Sequence, residues 1–217
     1  MERRFKGVVF DMDGVVIDTE AMVLDCWDKA ARYFGIEDMR PVAKSCIGIN
    51  SKDTKKKICD HYGDAIDYDE VNSYKRVLIK ERIDKGLLDP KPGIREFLSF
   101  LKDNGFKTAL ATSSSGRSAV YELDKLDLTK YFDVMITGEK IPNGKPAPDI
   151  FLAACEALGE SPEDLIGVED SHNGIRSCHA AGLFTVMVPD LLPPTEEIRE
   201  LADAVFDNVL EVKTLLA

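Results

Sequence analysis

Basic surplus is the first thing this sequence lacks. Its 217 residues carry 28 Lys and Arg against 39 Asp and Glu, a formal net charge of −11. Without a positive excess to meet a phosphate backbone, nucleic-acid binding is argued against, and so is docking on anionic membranes. No apolar stretch approaches the roughly 18 residues of a membrane span, and no signal peptide precedes the first strand pattern. There are only three histidines, which argues against a His-based metal site. The five cysteines (Cys26, Cys46, Cys59, Cys155, Cys178) are odd in number, scattered, and form no C-x-x-C pair. They read as reduced thiols of a cytoplasmic protein rather than as a disulfide framework or zinc site. Internal repeats and low-complexity tracts are absent as well.

What is present is ample material for a core, 44% apolar residues in a chain large for one domain and small for two. Residues 8–10, Val-Val-Phe, form a short apolar run of the kind buried in parallel sheets. Helical spacing follows over 19–34, where Met22, Val23, Cys26, Trp27, Ala30, Ala31 and Phe34 recur every three or four residues. Two more helices are predicted, over 52–62 with Ser51 as N-cap, and over 68–85. Strand patterns are missing throughout this region. After the turn cluster at 88–93 the style changes to alternation. Helices are predicted over 94–104, 117–126, 149–158 and 173–181. Strands are predicted over 107–111, 133–136, 164–168 and 185–188, and a short one over 204–206 ahead of a C-terminal helix. Alternation of this kind implies an α/β fold with a doubly wound parallel sheet. The expected organisation is a Rossmann-like core of 1–17 and 88–217, with an all-helical cap subdomain of 18–87 inserted after the first strand.

Ligands of open parallel sheets collect at the carboxyl ends of the strands, so the residues following each predicted strand carry the chemistry. The first strand delivers Asp11 and Asp13, two carboxylates that repel unless a cation lies between them or one holds a proton. The second delivers Thr112-Ser113-Ser114-Ser115-Gly116, a hydroxyl-rich turn opening a helix and suited to phosphate. Beyond the third comes Lys145, fixed between Gly144 and Pro146. The fourth delivers Glu169 and Asp170. Four acids, a lysine and hydroxyl donors on one edge suit a divalent cation, Mg²⁺, and a substrate phosphate. With phosphate charge neutralised, Asp11 can attack phosphorus and become an aspartyl phosphate. Asp13 can protonate the leaving oxygen and later deprotonate water.

None of these signals is strong alone. A second D-x-D, Asp67-Tyr68-Asp69, falls in a predicted helix with no preceding strand and reads as surface charge. Lys55-Lys56-Lys57 reads as a solvated helix face. His172 reads as a helix-start or surface residue. Trp27, Tyr33, Phe34 and Tyr74 read as packing within the cap and against the core. The weight lies in the four chemistry-bearing stretches occurring together and in order.

Those stretches, Asp11-Met12-Asp13-Gly14-Val15-Val16-Ile17-Asp18-Thr19-Glu20, Thr112-Ser113, Gly144-Lys145-Pro146-Ala147-Pro148-Asp149 and Val168-Glu169-Asp170-Ser171-His172-Asn173-Gly174, resemble the four motifs of the haloacid dehalogenase superfamily. The resemblance spans nearly the whole chain and is closest to the subgroup of sugar-phosphate phosphatases, phosphoglycolate phosphatases and β-phosphoglucomutases. It implies Asp11 as nucleophile and Asp13 as acid/base. It also implies Mg²⁺ held by the Asp11 carboxylate, the Asp13 carbonyl and Asp170, with Glu169 in support. Thr112 and Lys145, with Ser113 beside them, would bind the phosphoryl group. Dehalogenases of the superfamily generally lack the second aspartate.

The expectation is therefore a Mg²⁺-dependent phosphatase of small phosphorylated metabolites, sugar phosphates foremost, with the oligomeric state left open and a monomer included. A phosphosugar mutase is the alternative. The mutases that resemble this chain carry a histidine where Val23 stands. Their cap also holds the substrate's second phosphate with basic residues, where this chain has Ser51 and Glu70. A phosphoaspartate signalling receiver is the remote alternative. Receivers have no cap and bear the aspartate on a middle strand, whereas Asp11 ends the first.

Overall fold

The computed structural model describes residues 4–216. Six strands, β1 (Gly7–Phe10), β2 (Lys107–Thr112), β3 (Val134–Thr137), β4 (Leu165–Glu169), β5 (Phe184–Met187) and β6 (Ala204–Val205), form one sheet. Every pairing is parallel, in the order β3-β2-β1-β4-β5-β6. The first strand thus lies inside the sheet. The chain builds outward from it to β3, then returns to its other side for β4. This reversal puts a switch point beside β1, where two neighbouring loops diverge and leave a crevice.

The apolar run of β1 is continuous because both faces of the sheet are covered. Val8 and Phe10 enter one core cluster with Phe97, Leu98, Leu101 and Leu110. Val9 enters the opposite cluster with Ala109, Ile150, Phe151 and Ala154. Helix α5 (Ile94–Asp103) shows how the cover is made. Its buried residues Ile94, Phe97, Leu98 and Leu101 fall at i, i+3, i+4 and i+7, one stripe of a 3.6-residue period. Phe97 meets Phe10 edge to face with centroids 5.7 Å apart. Helices α6 (Gly116–Lys125), α7 (Asp149–Leu158), α8 (His172–Ala181) and α9 (Glu196–Leu201) complete the two outer layers.

Between β1 and α5 the chain makes α1 (Glu20–Tyr33), α2 (Met39–Lys44), α3 (Ser51–Tyr62) and α4 (Tyr68–Asp84), and no strand. These helices gather an apolar cluster of their own, including Leu24, Trp27, Ala30, Ile58, Tyr68 and Val71. The two connections to the sheet run side by side. Asp18 N–H donates to the Asp89 carbonyl at 2.9 Å, and Lys91 N–H to the Val16 carbonyl at 3.0 Å.

Several boundaries differ from the sequence reading for local reasons. Asn50, not Ser51, caps α3, because its side chain accepts from Asp53 N–H at 2.9 Å and Ser51 already lies inside the helix. Asp67 of the second D-x-D caps α4, accepting from Glu70 N–H at 3.0 Å, and Asp69 pairs with Lys55. Strands β2 and β4 each run one residue further than expected. Thr112 still pairs in register with Thr137, and Glu169 with Met187. The expected C-terminal helix is a 3₁₀ helix over Val209–Leu215, opened by a capping box between Asn208 and Glu211. All five cysteines are free thiols. Among the described residues, no helix is long and apolar enough to cross a membrane.

Candidate active site

All strands being parallel, Asp11, Thr112 and Glu169 reach the same edge of the sheet from β1, β2 and β4. Asp11 extends the ladder by one bond, its N–H donating to the Val168 carbonyl at 2.9 Å. The chain then turns tightly. Val16 and Ile17 N–H both donate to the Met12 carbonyl, and Gly14 N–H donates to Ile17. This turn carries Asp13 back over the strand end.

Lys145 is the pivot of the site. It is 2% exposed, and its Nζ donates to Asp11 Oδ1 at 2.5 Å, Glu169 Oε1 at 2.5 Å and the Ala111 carbonyl at 3.2 Å. Its ammonium also lies 5.1 Å from the centroid of the Phe151 ring. Burial works against this cation, but the Asp11 and Glu169 carboxylates outweigh it and raise its pKa.

Glu169 is fully buried and fully engaged. Its Oε2 accepts from Asp170 N–H, Ser171 N–H and Ser171 Oγ, all at 3.0 Å. Ser171 Oγ in turn accepts from Gly174 N–H and so caps α8. Asp13 is held differently. Thr19 Oγ1 donates to its Oδ1 at 2.5 Å and Ser114 Oγ to its Oδ2 at 3.2 Å. Thr19 precedes α1 without capping it, because its hydroxyl serves Asp13 instead.

The cluster holds more negative charge than it balances. Burial pushes Asp11 up to about 7 against the pull of Lys145, while Glu169 and Asp13 add repulsion. Asp13 is raised by burial although Thr19 and Ser114 oppose the rise. Asp170 is raised well above the usual carboxylate range by burial, then by Glu169 and Asp11. A cation bound among these carboxylates would lower all three again.

The donor set fits a hard divalent ion. Carboxylate oxygens of Asp11, Glu169 and Asp170 lie within 4.8 Å of one another. Among the described residues Asp170 Oδ2, itself buried, has no hydrogen-bond partner, a costly state unless something else binds it. The space around it is kept open by Gly14, whose φ is +81°; a Cβ there would lie 2.4 Å from Asp170 Oδ2.

A cavity of about 680 Å³ opens over this edge, between the sheet and α1–α4. Of the residues singled out in the sequence, Asp11, Asp13, Ser113, Lys145 and Asp170 line it. Thr112 and Glu169, both fully buried, are not among its lining residues. Thr112 Oγ1 accepts from Ser114 N–H at 3.0 Å and so shapes the turn that presents Ser113 and Ser114. His172 stands at the start of α8, its Nε2 2.9 Å from the Pro193 carbonyl.

Sequence reasoning missed the partners of Asp13. Thr19 and Ser114 both lay inside stretches already singled out, but only the folded turn shows which hydroxyl meets which carboxylate. It also missed two carboxylates of the cavity, Glu20 and Glu122, each pushed up to about 8 by burial with Asp13 adding to it. Glu122 carried no signal beyond its place on a predicted helix. Trp27, expected as packing, is 3% exposed and packs with Tyr68, yet it also lines the cavity.

Comparison with known proteins agrees with this architecture. Residues 8–188 match a family model described as haloacid dehalogenase-like hydrolase. A phosphorylated carbohydrates phosphatase of Thermotoga maritima is 35% identical over 181 residues, 82% of either chain. A β-phosphoglucomutase of Bacillus subtilis is 32% identical over 189 residues, 84% of this chain and 83% of that one. Among solved structures, β-phosphoglucomutase from Clostridium difficile superposes with a TM-score of 0.81 at 26% identity, covering 98% of this chain and 97% of that one.

Proposed function

The chain belongs to the haloacid dehalogenase-like hydrolase family, and from that premise we propose a Mg²⁺-assisted phosphatase of small phosphorylated metabolites, sugar phosphates foremost, working through an aspartyl phosphate on Asp11. It is a phosphoric monoester hydrolase. The observation that carries the mechanism is the unequal treatment of the two aspartates. Asp11 gives one oxygen to Lys145, and among the described residues no hydrogen bond engages the other. Asp13 has both oxygens held by hydroxyls.

In this reading the Asp11 oxygen not bonded to Lys145 attacks phosphorus. The ester P–O bond breaks, and the leaving oxygen takes a proton from Asp13. Water then attacks the acyl phosphate, Asp13 accepts its proton, and Asp11 is released with its carboxylate restored. Burial raises the Asp13 pKa, which favours its holding the proton for the first half. Lys145 holds Asp11 in place and, with the Ser113 and Ser114 turn, meets phosphoryl oxygens. Asp11, Asp170 and the Asp13 carbonyl would hold Mg²⁺, with Glu169 in support through Lys145 and the backbone of Asp170 and Ser171. When bound, the ion supplies screening of the phosphoryl charge.

The division into a core of 1–17 and 88–217 and a helical cap of 18–87 belongs to the same reading. Its support is the separate apolar cluster of α1–α4 and the paired connections at Asp18–Asp89 and Val16–Lys91. A cap of this kind excludes water and supplies contacts to the substrate body.

A phosphosugar mutase is the second reading, favoured by the Bacillus subtilis and Clostridium difficile relatives. Against it stand Val23 and Ser51, which line the cavity where the mutases carry basic or histidine side chains. Incubation with β-glucose 1-phosphate, a trace of the bisphosphate and Mg²⁺ decides between them. Free phosphate supports the hydrolase, whereas glucose 6-phosphate without free phosphate replaces it with the mutase. For the acid/base role, Asp13→Asn should lower kcat by about 10²- to 10⁴-fold. Full activity in that variant would remove Asp13 from the mechanism.

A further inference from the structure

Helix α6 brings to the cavity a carboxyl group that the chemistry above leaves unused. Ala119 and Leu123 are buried and enter the core cluster that covers the sheet. Ser118 and Glu122, one residue before each, therefore share the neighbouring face one helical turn apart, and both line the cavity. Glu122 is half-buried there. Among the described residues no hydrogen bond or ion pair reaches its carboxyl group. The donors beside it on the helix are already taken. The Tyr121 hydroxyl donates to Asp84, which also pairs with Lys125 at 3.2 Å and with Lys80.

The charges around the two cavity glutamates fix where Glu122 stands. Glu20 is repelled by Asp13, Asp11, Asp190 and Glu169. Glu122 is repelled by Asp13 alone; Asp11, Lys145 and Asp170 do not bear on it. It lies beyond Asp13, on the side away from Lys145 and the candidate cation site. Arg117 and Lys80 line the same cavity, yet neither is among the groups that shift Glu122. Asp13 is not its partner either, because Thr19 and Ser114 hold both Asp13 oxygens. The order across the cavity is thus Lys145 with Asp11, then Asp13, then Glu122. The first two positions receive the phosphoryl group and the leaving oxygen, so the next atoms of the substrate meet Glu122.

We infer that Glu122 is a specificity-determining residue that hydrogen-bonds a hydroxyl group on the substrate carbons nearest the ester oxygen. This rests on the phosphatase reading and narrows its substrate class to polyol and sugar phosphates hydroxylated next to the ester. A partly desolvated carboxyl group without a partner is costly, and a hydroxyl on the substrate removes that cost. The pairing holds in either protonation state, since a hydroxyl both donates and accepts. An ammonium would need the carboxyl group ionised, which burial and Asp13 oppose. An alkyl phosphate leaves Glu122 unpaired and desolvated further, so the site discriminates against it.

The test is the ratio of kcat/KM for two esters of equal length, glycerol 1-phosphate and propyl phosphate, which differ only in their hydroxyls. Wild-type protein is expected to favour glycerol 1-phosphate by about tenfold or more. Glu122→Leu should bring the ratio close to unity. Glu122→Gln, whose amide still pairs with a hydroxyl, should keep most of it. Glu122→Ala serves in place of the leucine variant if that one does not fold. A merely structural role would lower both values together and leave the ratio unmoved. A wild-type ratio near unity, or a preference that survives loss of the carboxyl group, overturns the inference. So does a preference for phosphoethanolamine over glycerol 1-phosphate that Glu122→Gln abolishes, because the carboxylate then serves a cation. Release of phosphate from neither ester would instead count against the phosphatase reading. The relative affinity of the two esters for Asp11→Asn protein would then decide the role of Glu122.

Discussion

Asp11→Asn is expected to lower phosphate release by about four orders of magnitude or more, the scale on which a covalent nucleophile is lost, while the fold survives. An asparagine has the same shape, and its amide oxygen can still accept from Lys145 where Asp11 Oδ1 does at 2.5 Å. The charge balance improves. Lys145 then faces one carboxylate, Glu169, instead of two, and Asp170 loses a repelling neighbour. Thermal denaturation should therefore show equal or higher stability beside the lost turnover. Retained activity would exclude Asp11 as nucleophile.

Lys145→Met should damage both catalysis and the fold. It removes a buried cation, 2% exposed, on which two carboxylates and a carbonyl depend. Removing one partner from a buried ionic cluster costs about 3–5 kcal/mol because the remaining charges stay unpaired. Loss of its contact with the phosphoryl group should cost a further factor of about 10²–10³ in kcat. Urea titration measures the first effect, and phosphate release with Mg²⁺ measures the second. The two are separable. Placing Asp11→Asn in the Lys145→Met protein removes one of the stranded carboxylates and should restore part of the stability but no activity. A Lys145→Met protein as stable as the parent would show that the cluster does not depend on this cation.

The fold was legible because its signals are local and repeated. Val8, Val9 and Phe10 could only be a buried strand if both faces were covered, and the helix stripes that follow supply that cover. The candidate site was legible as positions, since strand ends can be counted along the chain. What the sequence hid are relations across space. Nothing local distinguishes Asp11 from Asp13, yet one meets Lys145, 134 residues away, and the other Ser114, 101 residues away. Thr112 reads as a phosphate ligand, and the fold adds a second task the sequence does not show, its hydroxyl oxygen accepting from Ser114 N–H in the turn that presents Ser113 and Ser114. Lys75 carries no signal in the sequence, and the packing of α1 against α4 places its Nζ over the Trp27 ring, 4.2 Å from the centroid, at the wall of the cavity.

The most direct test of the central claim is to catch the phosphoryl group on the enzyme. Protein mixed with Mg²⁺ and a turned-over phosphate ester, quenched in acid within one turnover, is digested and read by mass spectrometry. A phosphoryl adduct on the peptide carrying Asp11, absent from the Asp11→Asn protein, is the predicted result. Turnover with the adduct on another residue, or with no adduct under conditions that slow its hydrolysis, would contradict it.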